Sequence, residues 1–184
     1  LPQRSANRFM RRSELEHLIR ASGEVAADDE IIIIGSQAIL GQFPDAPVRL
    51  LSSMEADVYP KNHPEKADEV DGAIGEGSSF HELHGYYAQG VGPKTAVLPE
   101  DWERRLVEVK NENTNGVTGH CLEVHDLAIS KLIAMRPKDL EFLQVLVGHD
   151  MIDKTTMLRR LKQTDLESSI RRIAQARVKA FFNS

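Results

Sequence analysis

The sequence is poor in cysteine, in aromatic residues and in long apolar runs. Of its 184 residues one is cysteine, Cys121, which excludes both a disulfide framework and a cysteine-rich zinc module. No stretch approaches about 18 consecutive apolar residues, so no transmembrane helix is predicted. Aromatic residues make up 5% of the chain and are not interleaved with its basic clusters, which argues against a surface that stacks single-stranded bases.

A secretory signal is also missing from the beginning of the sequence. The basic pair Arg11 and Arg12 is not followed by the apolar segment that a signal peptide requires. We therefore expect a cytoplasmic protein that does not contact a membrane. Residues 1–9 are expected to be an upstream extension or a cloning remnant, with Met10 as the natural start, and they do not enter the fold prediction.

Apolar and charged residues are abundant, at 41% and 28% of the chain, and the formal net charge is −5. These values favour one globular domain with a core, and they exclude a disordered polyanion. The charge is unevenly distributed, because residues 1–125 carry 12 basic and 21 acidic side chains, whereas residues 126–184 carry 11 and 7. Such a split is typical of two functional surfaces, or of C-terminal helices with an ordinary solvated face.

The first third of the chain predicts one helix and two strands. Ser13 with Glu16 is typical of a capping box, and helical spacing of apolar residues continues to about residue 26. Residues 31–34 are four consecutive isoleucines, which predict a strand buried on both faces. Residues 54–59 alternate and predict a second strand, which ends at a proline.

The remaining elements are predicted from shorter patterns. A short helix is expected over 64–74, strands over 85–92, 95–98 and 106–109, a loop over 111–119, and C-terminal helices that begin near Asp126 as N-cap, at Asp139, near Met157 and after a cap at Thr164 or Asp165. Because strands come first and helices close the chain, the predicted fold class is α+β, or α/β with a helical C-terminal cap. We divide the chain into an α/β core over 11–125 and a helical region over 126–184 packed on it.

The candidate site lies between the first two strands. Gly35 after the buried strand allows a tight turn and a close approach to a phosphate, and Ser36 with the following helix start offers a hydroxyl and free N–H groups to an anion. On the next strand, Glu55 and Asp57 are two residues apart and therefore share a face. Two adjacent carboxylates are suited to hold one or two Mg²⁺ ions, which bridge the phosphates of a nucleoside triphosphate.

Two segments carry a resemblance to a known family. The stretch IIIIGSQAIL…MEADVYP resembles the start of the polymerase-β-like nucleotidyltransferase superfamily, and CLEVHDLAISKLIAMRPKDLEFL resembles a later helix of the AbiEii-type toxin nucleotidyltransferases. The chain over about residues 11–165 looks like the nucleotidyltransferase-like branch known as DUF6036. The resemblance implies a mixed sheet with flanking helices, Mg²⁺ or Mn²⁺ as the metal, and a nucleoside triphosphate as the substrate.

The resemblance also implies a role for particular residues. It implies that Gly35 and Ser36 contact the nucleotide phosphates and that Glu55 and Asp57 are catalytic metal ligands. It further implies a phosphate-binding set, which consists of Lys131, Arg136 and Lys138. The catalytic acid that it implies is Asp139, which would orient a lysine or assist the acceptor hydroxyl.

This sequence departs from the usual family pattern in three ways. The first metal carboxylate is Glu55 where the family more commonly has aspartate. The connection between Ser36 and Glu55 is 18 residues long, which exceeds the usual length. The third metal carboxylate is not marked by the sequence, and Glu108 and Glu123 are its two candidates.

The resemblance implies transfer of a nucleotidyl group to a hydroxyl acceptor, which would be a tRNA 3′ end or a protein side chain. The protein would then be the toxin of a toxin–antitoxin pair, with an antitoxin protein as partner. The alternative is a degenerate member of the fold that binds a nucleotide, RNA or a partner protein without catalysis. Basic residues of the last helices, such as Arg171 and Arg172, would serve RNA binding in that alternative.

Overall fold

The computed structural model describes residues 8–183. Most of the predicted extension, residues 1–7, therefore lies outside the described residues. The strands are β1 (Glu30–Ile33), β2 (Glu55–Pro60), β3 (Tyr87–Gly90), β4 (Val107–Val109) and β5 (Thr118–Cys121). The helices are α1 (Arg12–Ala26), α2 (Ile39–Gln42), α3 (Ala67–Ile74), α4 (Ser79–His84), α5 (Val124–Ala134), α6 (Pro137–Gly148), α7 (Lys154–Lys162) and α8 (Ser168–Phe182). The fold is thus α+β, as predicted.

The strands form one mixed sheet in the order β3-β2-β1-β5-β4. The central strand β1 pairs antiparallel with β2 and parallel with β5, so that Ile33 lies between Val58 and Cys121. The outer pairs are parallel for β2 with β3 and antiparallel for β4 with β5. The isoleucines of β1 point alternately to the two faces of the sheet and are all buried, so other elements cover both faces of this central strand, as its composition predicts.

Helix α1 covers one face of the sheet. Leu15, Leu18 and Ile19 are fully buried, and a Cβ on Gly119 of β5 would lie 2.4 Å from Ile19 Cδ1. A side chain at residue 119 would therefore separate the helix from the strand, so close packing requires glycine there.

The opposite end of the chain forms a group of helices, α5 to α8, which pack on one another. Asp126 on α5 is fully buried and accepts hydrogen bonds from Arg105 Nε (2.8 Å) and from Arg160 Nη1 (2.8 Å). One carboxylate therefore joins the segment before β4 to α5 and to α7. No helix among residues 8–183 combines the length and the apolar character of a membrane span.

Several local predictions are wrong at the helix ends. The N-cap of α1 is Arg11, whose N–H donates to Glu14 Oε1 at 3.1 Å, so Ser13 and Glu16 lie inside the helix. Glu123 caps α5 in place of Asp126, because its carboxylate accepts the N–H groups of residues 125 and 126. Glu167 is the N-cap of α8 in place of Thr164 or Asp165.

One strand prediction and one loop boundary in the middle of the chain are also wrong. Residues 95–98 do not form a strand, and β5 begins at residue 118, inside the loop predicted over 111–119. The sequence of Thr118–Cys121 is Thr-Gly-His-Cys, which contains few β-branched residues. The segment is a strand because it pairs with β1 on one side and with β4 on the other.

We expect Asp126→Ala to lower the free energy of unfolding by about 3–5 kcal/mol, since it leaves two arginine side chains without their buried counter-charge. Urea unfolding followed by circular dichroism measures this change. Asp165→Asn is the matched control, because Asp165 is exposed. Equal stability of the two variants would contradict a structural role for the Asp126 carboxylate.

Candidate active site

The ends of β1 and β2 form one wall of a cavity of about 540 Å³. Glu55 and Asp57 both line it, as their spacing on β2 predicts, while Ala56 and Val58 between and beyond them are buried on the other face. Gly35 and Ser36 follow β1 and line the same cavity. The backbone N–H of Ile34 donates to Asp57 O at 3.0 Å, which holds the two segments side by side.

Position 35 requires glycine because a side chain would not fit there, and not because the backbone conformation excludes other residues. Its φ of −85° is accessible to any residue. A Cβ at this position, however, would lie 2.4 Å from Asp57 Oδ2 and 2.8 Å from its Cγ. A tight turn was the expected reason for this glycine. The structure gives a different reason, which is the close contact between the Gly35 backbone and the Asp57 carboxylate. The segment after it is a 3₁₀ turn (Ser36–Ala38) and the four-residue α2, which is too short to act as an anion-binding helix terminus.

Asp57 carries a carboxylate whose charge is poorly compensated. Its Oδ1 is buried and has no hydrogen-bond partner among the described residues. Burial raises the pKa of Asp57, and the nearby charge of Glu55 raises it further, although the cations Lys131, Lys138 and Arg136 oppose the shift. A buried oxygen without a partner is uncommon in proteins, and Asp57 lines the cavity, so its carboxylate is a candidate for binding a ligand.

Glu55 is held by an aromatic side chain from the neighbouring strand. Tyr87 on β3 lies opposite Glu55 in the sheet register, and its hydroxyl donates to Glu55 Oε2 at 2.7 Å. The ring of His81 on α4 packs against the Tyr87 ring, with 4.5 Å between centroids. One carboxylate oxygen of Glu55 is therefore fixed by the protein, and the other has no partner within the described part of the chain.

Lys131 of α5 also lines the cavity. The side chain is 6% exposed, and Nζ donates to Ser36 Oγ at 2.5 Å and to Asp139 Oδ1 at 3.3 Å. It also lies 4.7 Å from the centre of the Phe142 ring. Burial lowers the pKa of Lys131, and the Asp139 carboxylate partly offsets this effect.

Asp139 lies behind the cavity and does not line it. The carboxylate is fully buried and accepts hydrogen bonds from Lys131 and from Arg136 N and Nε at 3.0 and 2.8 Å. Burial acts against ionisation, but the bonds from Arg136 and the charge of Lys131 lower the pKa of Asp139. Of the two roles expected for this residue, the geometry matches the orientation of the lysine.

Four further charged side chains line the cavity. Lys138 was expected there, and Arg136 keeps its exposed guanidinium at the wall. Arg49 and Glu141 complete the lining and pair with each other at 3.0 Å, with more than half of each side chain exposed. Since Arg49 belongs to the long 37–54 connection and Glu141 to α6, this pair closes one side of the cavity.

Neither candidate for a third metal carboxylate reaches the cavity. Glu108 on β4 lies three strand spacings from Asp57, about 14 Å at the usual spacing of neighbouring strands. Glu123 caps α5 and is bound by His125 Nδ1 at 2.7 Å and by Arg160 Nη1 at 2.9 Å. Burial opposes ionisation of Glu123, but these two partners lower its pKa to about 2. Within residues 8–183, no three acidic, histidine or cysteine side chains converge on a point that would hold a metal ion.

The remaining pair of carboxylates still fits a magnesium ion. Mg²⁺ prefers oxygen ligands, keeps several waters, and is commonly bound by one or two carboxylates together with substrate phosphates. The carboxylates of Glu55 and Asp57, which both line the cavity, supply such ligands.

The site also contains residues that the sequence did not indicate. Tyr87, Arg49 and Glu141 reach the site by pairing of β2 with β3 and by packing of the 37–54 connection against α6. No local pattern marks them. The alternation of residues 85–92 predicts a strand, but the neighbour of that strand could not be identified from it.

A family model described as nucleotidyltransferase of unknown function (DUF6036) matches residues 13–182. The match includes both strands of the cavity wall and every cationic residue that lines the cavity. Neither the search of curated proteins nor the search of solved structures finds a match.

The two aspartates of the site have opposite pKa shifts, and their amide variants should change stability in opposite directions. A raised pKa means that ionised Asp57 destabilises the folded state, so Asp57→Asn should stabilise the metal-free protein at pH about 7. Asp139→Asn should destabilise it, because the folded state lowers the pKa of Asp139. The Asp57 difference should shrink as the pH falls through its raised folded-state pKa towards about 4, whereas the Asp139 difference should persist to about pH 4 and shrink only below it.

Chemical unfolding of both variants in the presence of a chelator, at neutral and at acid pH, measures these differences. Destabilisation by Asp57→Asn at neutral pH would contradict the assignment of Asp57 as an uncompensated carboxylate.

Proposed function

The chain belongs to the DUF6036 family of nucleotidyltransferases, as its sequence predicts, and from this premise we propose a Mg²⁺-dependent enzyme that uses a nucleoside triphosphate. In the reaction, the oxygen of an acceptor hydroxyl forms a bond to the α-phosphorus, the bond from that phosphorus to the bridging oxygen breaks, and pyrophosphate leaves. The nucleotidyl group is thereby transferred to the acceptor.

One observation supports the proposal most strongly: two carboxylates and three cations line a single cavity. Glu55 and Asp57 come from β2, whereas Lys131, Arg136 and Lys138 come from α5 and α6. A triphosphate carries several negative charges, so it requires cations on one side and a metal site on the other. The cavity volume of about 540 Å³ is within the usual range of about 300–1,000 Å³ for small-molecule sites.

Glu55 and Asp57 would hold Mg²⁺, or Mn²⁺, through their carboxylates. The ion, when bound, neutralises phosphate charge and polarises the bond to the leaving group. Lys131 is positioned by Asp139 and Ser36 before any ligand arrives, so its charge does not need to be reoriented. Arg136 and Lys138 are more exposed and would meet the triphosphate at the entrance.

The finer features of the proposal concern the acceptor and the setting. We consider a tRNA 3′ end and a protein side chain as acceptors, and the toxin of a toxin–antitoxin pair in the cytoplasm as the biological setting. The resemblance of residues 121–143 to the AbiEii-type helix supports this setting.

A second candidate function is nucleotide binding without transfer. One observation favours it, namely that among the described residues no third carboxylate converges with Glu55 and Asp57 on a common metal position, since Glu141 pairs with Arg49. A single ion held by two carboxylates would support binding of the triphosphate but would leave the acceptor hydroxyl without a second ion. RNA binding by the basic C-terminal helices would be an extension of this second function.

We expect transfer of a labelled nucleotide to total tRNA or to added protein in the presence of Mg²⁺. Asp57→Ala and Lys131→Met should each reduce the rate by on the order of 10²-fold or more, because each removes a preorganised charge from the transition state. Gel analysis of labelled products from each of the four nucleoside triphosphates measures the activity. Glu112→Gln is the control, since Glu112 is exposed and lies outside the cavity.

Calorimetric titration with each triphosphate and Mg²⁺ separates the two candidate functions. Binding that is lost in Asp57→Ala, without product from any acceptor, would support the second function. If no triphosphate binds, or if binding is the same in Asp57→Ala, both functions are wrong for this cavity.

A further inference from the structure

A second cavity of about 540 Å³ lies on the same face of the same two strands. Ile34 and Asp57 line the first cavity, and Ile32 and Tyr59, two residues along each strand, line the second. Two residues of a strand span about 7 Å, so the two cavities are neighbours. None of the residues assigned to nucleotide or metal binding lines the second cavity.

The walls of the second cavity are flat and partly aromatic. Trp102 and Tyr59 contribute their rings, and Pro64 and Pro93 contribute further apolar surface. Trp102 belongs to the 3₁₀ turn Trp102–Arg105, which precedes β4. Aromatic faces attract organic cations, and Trp and Tyr are among the side chains that do so most strongly.

The charges that face the second cavity are negative. Lys61 and His120 line it, but both are bound to Glu30, at 2.9 Å and 3.2 Å. Glu103 and Glu108 also line it, and within residues 8–183 neither forms an ion pair. The two arginines next to Glu103 are engaged elsewhere, with Asp101 and Asp126. Two exposed carboxylates without an ion pair therefore remain for a ligand.

Tyr59 adds a polar group that has no partner. The residue is 5% exposed, and its hydroxyl forms no hydrogen bond within the described residues. Burial and the nearby charge of Glu103 raise the pKa of Tyr59 to about 12, so the phenol is neutral at physiological pH. Although the residue is buried as a whole, its unpartnered hydroxyl is accessible and Tyr59 lines the cavity, so the hydroxyl can bond to a ligand or to water there.

We propose that the second cavity binds a small aliphatic polyamine. The ammonium groups would meet Glu103 and Glu108, the alkyl chain would lie against Trp102 and the prolines, and the Tyr59 hydroxyl would accept a hydrogen bond from an amine. The same charges disfavour the phosphate backbone of RNA. Amine binding does not depend on the proposed transferase function.

The neighbouring cavities lead to a second step, which does rest on the proposed function. A triphosphate in the first cavity is an anion, and a polyamine about 7 Å further along β1 and β2 is a cation. Their attraction should make each ligand bind more tightly in the presence of the other, by the same factor in both directions.

Trp102 is the one tryptophan in the sequence, so its fluorescence reports on the second cavity. We expect spermidine to change this fluorescence with saturation, and triethylene glycol, an uncharged chain, to leave it unchanged. Glu108→Gln should weaken spermidine binding on the order of tenfold, the effect of one lost charge contact. Glu112→Gln, on the turn between β4 and β5, should not weaken it. Calorimetry provides a second measurement that does not depend on Trp102.

Absence of saturable binding in both measurements, or equal affinity of Glu108→Gln and the unaltered protein, would overturn the proposal. Binding of the ribotrinucleotide CCA in competition with spermidine would overturn it as well and would favour an RNA end in this cavity. Tyr59→Phe gives a further check, because it should weaken spermidine binding while the protein stays folded.

The coupling is tested by repeating the spermidine titration with ATP and Mg²⁺. Tighter binding in the unaltered protein, but not in Asp57→Ala, is expected. If spermidine binds and ATP does not, the proposed function fails while the amine site stands. If ATP binds and spermidine does not, the amine site fails alone.

Discussion

The site depends on the close approach of the Gly35 backbone to the Asp57 carboxylate. Antiparallel pairing of β1 with β2 continues beyond the last strand residue through the bond from Ile34 N to Asp57 O, which places residue 35 against the carboxylate of residue 57. With no side chain at residue 35, this carboxylate is half-buried yet open to the cavity. The charge of Glu55 two residues before it adds repulsion, and the protein supplies no donor to Oδ1 within the described residues. The strand pairing that builds the sheet thus also creates an uncompensated negative charge.

The second constraint is the positive charge of Lys131 and Arg136, which is opposite to that of the β2 carboxylates and comes from a different part of the chain. Asp139 is buried at the beginning of α6 and holds both Lys131 and Arg136. Without Asp139, burial would favour the neutral form of Lys131, so the carboxylate keeps a cation at a place where water is largely excluded. The acidic and basic parts that were distinguished by composition therefore meet here, with the acids on β2 and the cations on α5 and α6.

Local patterns predict the parts of this site that lie on one strand or one helix. The isoleucines of β1, the alternation of Glu55 with Asp57, and the positions of Lys131 and Lys138 follow from spacing and from the family resemblance. The third carboxylate could not be predicted in this way, because its place depends on strand order. Insertion of β5 between β1 and β4 moves Glu108 away from β2, and nothing in residues 106–109 indicates that insertion. Tyr87 and Arg49 were missed for the same reason, since each contacts the site through long-range packing. The caps of α1 and α5 were displaced by two or three residues, because several acidic side chains near each terminus compete for the same N–H groups.

The two carboxylates and the neighbouring cavity together suggest how ligands stabilise this fold. A cation bound at Asp57 would remove a charge conflict that the folded chain otherwise maintains, so its binding free energy would include relief of that conflict. Tyr59 lies two residues further along the same strand and lines the second cavity. Strand β2 therefore presents one anionic and one neutral polar side chain to separate cavities. A rigid central sheet tolerates such groups because the isoleucines of β1 and the helix α1 on its other face supply the packing that holds β2 in place.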